Sequence, residues 1–171
     1  MFKKVLILFI LIIHTNTCFA TEQQIHKAKI SEEFTFETHK VNNNTEDMGV
    51  AGFIYKRYLD NNWFWGGAGY AALFGQRGGY FIGGFLTGYT LETTDYIFEP
   101  LIYIGAGGGH SAPSGASSGG LIRWSIALGY KVTPDLSIKL HTGYIDFIGG
   151  DIKSWLAGFT IGITSYEIFS K

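Results

Sequence analysis

Cysteine is almost missing from this 171-residue chain: only Cys18 is present. That excludes a disulfide scaffold, and it excludes thiol catalysis or cysteine-ligated zinc in everything after residue 18. Net basic charge is missing too, with 13 Lys and Arg against 14 Asp and Glu, so no positive field exists to attract nucleic acid or an anionic membrane surface. The 24 glycines follow no collagen period. No apolar run is long enough for a membrane-spanning helix, which needs about 20 residues. His26, His39, His110 and His141 have no metal-ligand spacing, and no H-E-x-x-H or calcium-loop pattern occurs, so neither a metal nor another cofactor is expected.

What is present is a chain that is 46% hydrophobic and 16% aromatic, too apolar for a disordered tail. Its first 20 residues have Lys3 and Lys4, the nine apolar residues Val5 to Ile13, and a small residue at Ala20. These are the three parts of a secretory signal peptide, so cleavage is expected near Thr21. A lipidated Cys18 is the rival, but Thr15-Asn16-Thr17 is polar where a lipoprotein signal carries Leu and small residues. After a polar lead over residues 21–31, one domain is expected from residue 32 to the end.

That domain has a β pattern. Period-2 alternation recurs at about residues 32–40, 48–58, 62–74, 79–91, 94–106, 120–132, 135–147 and 154–167. Short links built from Asn, Asp, Thr or Pro, at 59–61, 92–93 and 133–134, alternate with longer Gly-, Ser- and Asn-rich ones at 41–47, 75–78, 107–119 and 148–153. Such alternation predicts strands running up and down, with one end of the sheet trimmed and the other decorated.

The faces differ in kind. Ile122, Trp124, Ile126, Leu128, Tyr130 and Val132 fall on one side of the sixth strand, and Arg123, Ser125, Ala127, Gly129 and Lys131 on the other. A soluble barrel would turn the bulky face inward, and a membrane barrel would turn it toward lipid. Two features favour the membrane. Glycine is abundant inside strands, which it normally weakens, and a narrow barrel whose lumen must stay uncrowded is one setting that rewards it. Trp and Tyr gather near strand ends: Tyr55, Tyr58, Trp63, Trp65, Tyr89, Tyr96, Tyr130 and Tyr166 at the short-turn end, and Tyr80, Tyr144, Phe147 and Trp155 at the other. The expectation is an all-β, eight-stranded antiparallel up-and-down transmembrane barrel.

With these features the chain resembles the small eight-stranded outer-membrane β-barrels of Gram-negative bacteria, the class of the OmpA transmembrane domain, OmpX and OmpW. The most motif-like part is Gly158-Phe159-Thr160-Ile161-Gly162-Ile163, which looks like that family's C-terminal assembly signal through Gly158, Ile161 and Ile163. Family members commonly end on Phe, whereas this sequence passes Phe169 and ends Ser170-Lys171. The resemblance implies an outer-membrane location, periplasmic short turns, extracellular long loops, and outer-membrane lipids, lipopolysaccharide and the barrel-assembly machinery as partners. It also implies a structural, envelope-integrity role, with any extracellular ligand met by the loops, above all 107–119.

Candidate chemistry is sparse. Glu33, Glu37, His39, Glu99, Arg123, Lys131, Lys139 and His141 share the predicted inward face, and an internal ladder of paired charge is the expected arrangement. A gated or proton-linked polar path is the functional alternative. Gly115-Ala116-Ser117-Ser118-Gly119 matches the nucleophile-elbow pattern, and Gly105 to His110 begins like a dinucleotide fingerprint, but neither precedes a helix. His141-Thr142-Gly143 resembles the His-x-Ser pair of outer-membrane lipid A deacylases of the PagL type, with Gly143 where the serine nucleophile would be. His141 is therefore a weak catalytic candidate. A lipid A-modifying enzyme and a narrow channel for small or hydrophobic solutes stand behind the structural role.

Overall fold

The computed structural model describes residues 25–41, 46–75, 79–109, 119–148 and 153–170. The signal peptide with Cys18, Asn43-Asn44-Thr45, His110 and the Ser/Gly run through Ser118 lie outside the described residues, as does the side chain of His26. The strands are β1 (Ile25–Val41), β2 (Glu46–Tyr58), β3 (Trp63–Gly75), β4 (Tyr80–Tyr89), β5 (Leu91–Glu92), β6 (Tyr96–Gly109), β7 (Gly119–Lys131), β8 (Leu136–Phe147) and β9 (Lys153–Ser170). All eight expected segments are strands. The first begins earlier than its alternation indicated, at Ile25, inside the stretch read as a polar lead.

The two-residue β5 continues β4. Gly88 pairs with Leu101 and Leu91 with Phe98, so the register runs unbroken past Tyr89 and Thr90, which face Pro100 and Glu99. Pro100 has no N–H to donate, so the ladder loses a rung there. Counted in this way, eight staves pair antiparallel in chain order. β4 also pairs with β6, and β1 neighbours β9, which closes the sheet. Closure removes the unpaired edges that a bilayer cannot tolerate.

The turns at the trimmed end are held by the residue types that flagged them. Asn62 takes the left-handed backbone (φ 66°) that Asn tolerates, while Leu59 N donates to Trp63 O at 2.7 Å. Thr93 and Thr133 hydroxyls each accept from the amide three residues on, Tyr96 N and Leu136 N, both at 3.0 Å.

Alternation then sorts the side chains. Phe34, Phe85, Ile104, Ile126, Leu128, Leu140, Phe159 and Ile163 point outward, Phe85 being 78% exposed, while Glu99 on the inner face is 0% exposed. In water, each such bulky side chain would forgo about 1.5–3 kcal/mol of burial, and the charges inside would be desolvated as well. The distribution is inverted relative to a soluble protein, and a hydrocarbon surround is the solvent that suits it. At the short-turn end Trp63 packs against Tyr89 and Tyr96 against Tyr130; at the long-loop end Trp155 packs against both Trp124 and Tyr144. Three residues assigned to these girdles by their position near strand ends belong elsewhere. Tyr58, Tyr80 and Phe147 have inward parity and are buried in the barrel.

A cation on the outer wall should be costly. Leu140→Arg, placed among Leu128 and Phe159 of the flanking strands, is expected to lower unfolding free energy by about 2–4 kcal/mol if it sits near the bilayer midplane, with Leu140→Phe close to neutral. Urea titration of the protein folded into lipid vesicles reads both.

Candidate functional site

The interior is stratified. Toward the long loops it is an apolar stopper, in which Met48, Leu121, Ile145 and Leu156 are buried and the Tyr80 and Phe147 rings meet at 5.6 Å. Toward the short turns, and on through the middle to the edge of that stopper, it is charged, and the charge forms two separate clusters, with His39 of the second pairing with Met48 and Arg123 with Ile145.

The first cluster alternates in sign. Lys56 Nζ lies 2.9 Å from Glu33 Oε1 and 2.8 Å from Glu99 Oε2, and Lys139 Nζ lies 2.7 Å and 2.6 Å from the same two oxygens. Two cations and two carboxylates thus share four contacts with no net charge. Tyr58 donates to Glu99 Oε1 at 2.9 Å and Ser31 to Glu33 at 3.2 Å. The Lys56 ammonium also lies 4.9 Å from the Phe64 ring centroid. Gly129 leaves the space this requires, since a Cβ there would come within 2.8 Å of Lys139 Cγ.

The second cluster is centred on Glu37. Arg123 donates to both of its oxygens, Nη1 to Oε2 at 2.9 Å and Nη2 to Oε1 at 2.7 Å. This two-point fork is the strong form of the pair. The Nε2 atoms of His39 and His141 lie 3.0 Å and 3.1 Å from the same carboxylate. Behind His141, the Thr160 hydroxyl is 3.2 Å from Nδ1 and 3.1 Å from the Thr35 hydroxyl. The Arg123 guanidinium sits 5.0 Å from the Tyr70 ring centroid, and Tyr70 meets Tyr103 edge-on at 5.8 Å. Gly158 lies directly across from His141, where a Cβ would come within 2.9 Å of Nε2.

Seven of the eight sequence-selected residues therefore lie in these two clusters: Glu33, Glu99 and Lys139 in one, and Glu37, His39, Arg123 and His141 in the other. Lys131 does not join them. It is at the rim, half-buried, donating to Glu92 at 2.9 Å and to Thr93 O at 3.1 Å, because it is the last residue of β7 and has the turn beside it. Lys29 also pairs with Glu92. Burial opposes the Glu92 charge, but the two lysines outweigh it and hold this carboxyl below the ordinary range. The mouth here is nearly filled, with a cavity of about 20 Å³ beside Lys29, Tyr58, Glu92 and Lys139, room for about one water. Sequence reasoning missed Lys56, Tyr58, Thr35 and Thr160. Among the described residues no group of His, Cys, Asp or Glu is arranged to hold a metal ion.

In the assembly-signal segment, Ile161 and Ile163 face outward, whereas Gly158 faces His141 and Glu37, so its lack of a side chain has a packing reason of its own. Removal of one partner from a buried pair is the severe lesion. Glu37→Leu is expected to cost about 3–5 kcal/mol by leaving Arg123 uncompensated, and the double variant Glu37→Leu with Arg123→Met to recover a large part of that loss. Urea unfolding of the four-member cycle in vesicles gives the coupling.

No family model matches the sequence, and no curated protein is detectably similar to it. Solved structures are similar in backbone. Neisserial surface protein A superposes with a TM-score of 0.58 at 8% identity, covering 81% of this chain and 98% of that one. The N-terminal β-barrel domain of Pseudomonas aeruginosa OprF gives 0.59 at 10% identity, covering 79% and 97%. The attachment invasion locus protein Ail of Yersinia pestis, solved with the heparin analogue sucrose octasulfate, gives 0.52 at 13% identity, covering 81% and 98%. At such identities the likeness concerns the backbone, and it agrees with the closed, inside-out sheet: this chain has the fold of the small eight-stranded outer-membrane β-barrels.

Proposed function

We propose that this protein resides in the outer membrane as a non-enzymatic, non-conducting barrel whose role is structural, with any specificity carried by its long-loop end. The observation that carries this reading is the filled interior: two neutral charge clusters and an apolar stopper occupy the space that a channel would need to keep open. Lipids contact the outer wall directly, and lipopolysaccharide is the expected neighbour at the Trp124, Tyr144 and Trp155 girdle. Gly158, Ile161 and Ile163 serve as the signal read by the barrel-assembly machinery. An extracellular ligand would be met by the loops, as loops on a rigid scaffold commonly carry recognition.

The deacylase alternative has one feature in its favour and two against. Thr160, His141 and Glu37 stand in the order of nucleophile, base and acid. All three are buried inside the barrel, away from any acyl chain on the outer wall, and Gly143 occupies the serine position.

Membrane fractionation tests the location: the protein should enrich with outer membranes and shift its gel migration on boiling. Planar-bilayer recordings are expected to show no conductance steps. Lipid A incubated with the purified barrel should keep its acyl-chain masses; acyl loss abolished by His141→Ala would replace the structural role with the enzymatic one.

A further inference from the structure

The two histidines on Glu37 differ in what lies behind them, and the difference decides which can take up a proton. Glu37, gripped at both oxygens by Arg123, only accepts, so each histidine presents its Nε2–H to it and leaves Nδ1 as a bare lone pair. His39 is 1% exposed and, among the described residues, its Nδ1 has no hydrogen-bond partner. A second proton there would create a buried donor with nothing to receive it. His141 Nδ1 instead faces Thr160, and Thr160 faces Thr35.

We propose that His141 Nδ1 is a buried binding site for a single proton, with Thr160 and Thr35 as a reversible hydroxyl relay. In the neutral state Thr160 turns its hydroxyl to donate to Nδ1 and Thr35 donates to Thr160, the reverse of the Thr160-to-Thr35 donation that the same rotatable hydroxyls also allow. On uptake the directions reverse: Nδ1–H donates to Thr160, Thr160 to Thr35, and Thr35 to Phe159 O at 3.3 Å or Glu37 Oε1 at 3.4 Å. The same atoms are in contact in both states and no donor is orphaned. The only covalent change is the new N–H bond, whose proton comes from water, and the added charge stays on the imidazolium against the Glu37 carboxylate. The other groups facing this locus are His39 on β1, Tyr70 on β3, Tyr103 on β6 and Arg123 on β7. Arg123 opposes the added charge, and Glu37 sits between the two cations. The nearby Lys56, Lys139, Glu33 and Glu99 balance one another.

The test is an imidazole ¹⁵N titration of the full barrel in lipid nanodiscs, from about pH 8 to about pH 5 where histidine changes charge, with gel migration confirming the fold at each step. Both rings should begin as the Nε2–H form. On acidification the His141 Nδ1 signal should move to the protonated position while that of His39 stays fixed. Thr160→Val, which removes the relay, should weaken His141 proton affinity by about tenfold, one pH unit; Thr160→Ser should restore it, and His39→Gln should leave it unchanged. The proposal is overturned if His39 protonates at or before His141, if His141 begins as the Nδ1–H form, if it keeps one proton throughout the range in the folded barrel, or if Thr160→Val titrates like the parent.

Discussion

Charge can be kept inside this barrel only if each ion is given its opposite within reach, and the rest of the interior follows from that constraint. Water cannot screen or solvate Glu33, Glu37 and Glu99 in a filled lumen, so each must be met by a cation from another strand. Lys56 comes from β2, Arg123 from β7 and Lys139 from β8, while the carboxylates come from β1 and β6. Ties between non-adjacent strands fix the cross-section of the barrel as well as its charge.

Space is the second half of the same constraint. A lumen of eight strands is narrow, and large ions fit only where the facing strand gives way. Gly129 faces the stem of Lys139 and Gly158 the imidazole of His141. Strand glycines that look wasteful in a linear reading are the complements of large side chains on neighbouring staves.

Much of this was legible one strand at a time. In β7 the alternation from Ile122 to Val132 is clean, and it places Arg123 inward without knowledge of its partner. Lys139, His141, Glu33, Glu37, His39 and Glu99 were found in the same way. Lys56 was hidden because β2 carries bulky residues on both faces, with Ile54 and Tyr58 inward and Phe53 outward, so parity alone does not announce it. Charge balance could have found it: three buried carboxylates against Arg123 and Lys139 leave one cation wanting once Lys131 is assigned to the rim. The girdle tyrosines failed for the opposite reason. Position near a strand end was used without parity, and Tyr58 and Tyr80 turned out to cap the lumen. Which strands touch across the barrel, and hence the sharing of Glu37 among Arg123, His39 and His141, depends on closure and register that no single strand encodes.

The missing rung at Pro100 gives the neighbouring Glu99 a mechanical meaning. Where Pro100 leaves β6 one amide short in its pairing with β4, the adjoining residue is tied across the lumen by Lys56, Lys139 and Tyr58. The wall at that level is therefore braced by spokes as well as by hoops, so its integrity there draws also on side chains from strands that are not its neighbours.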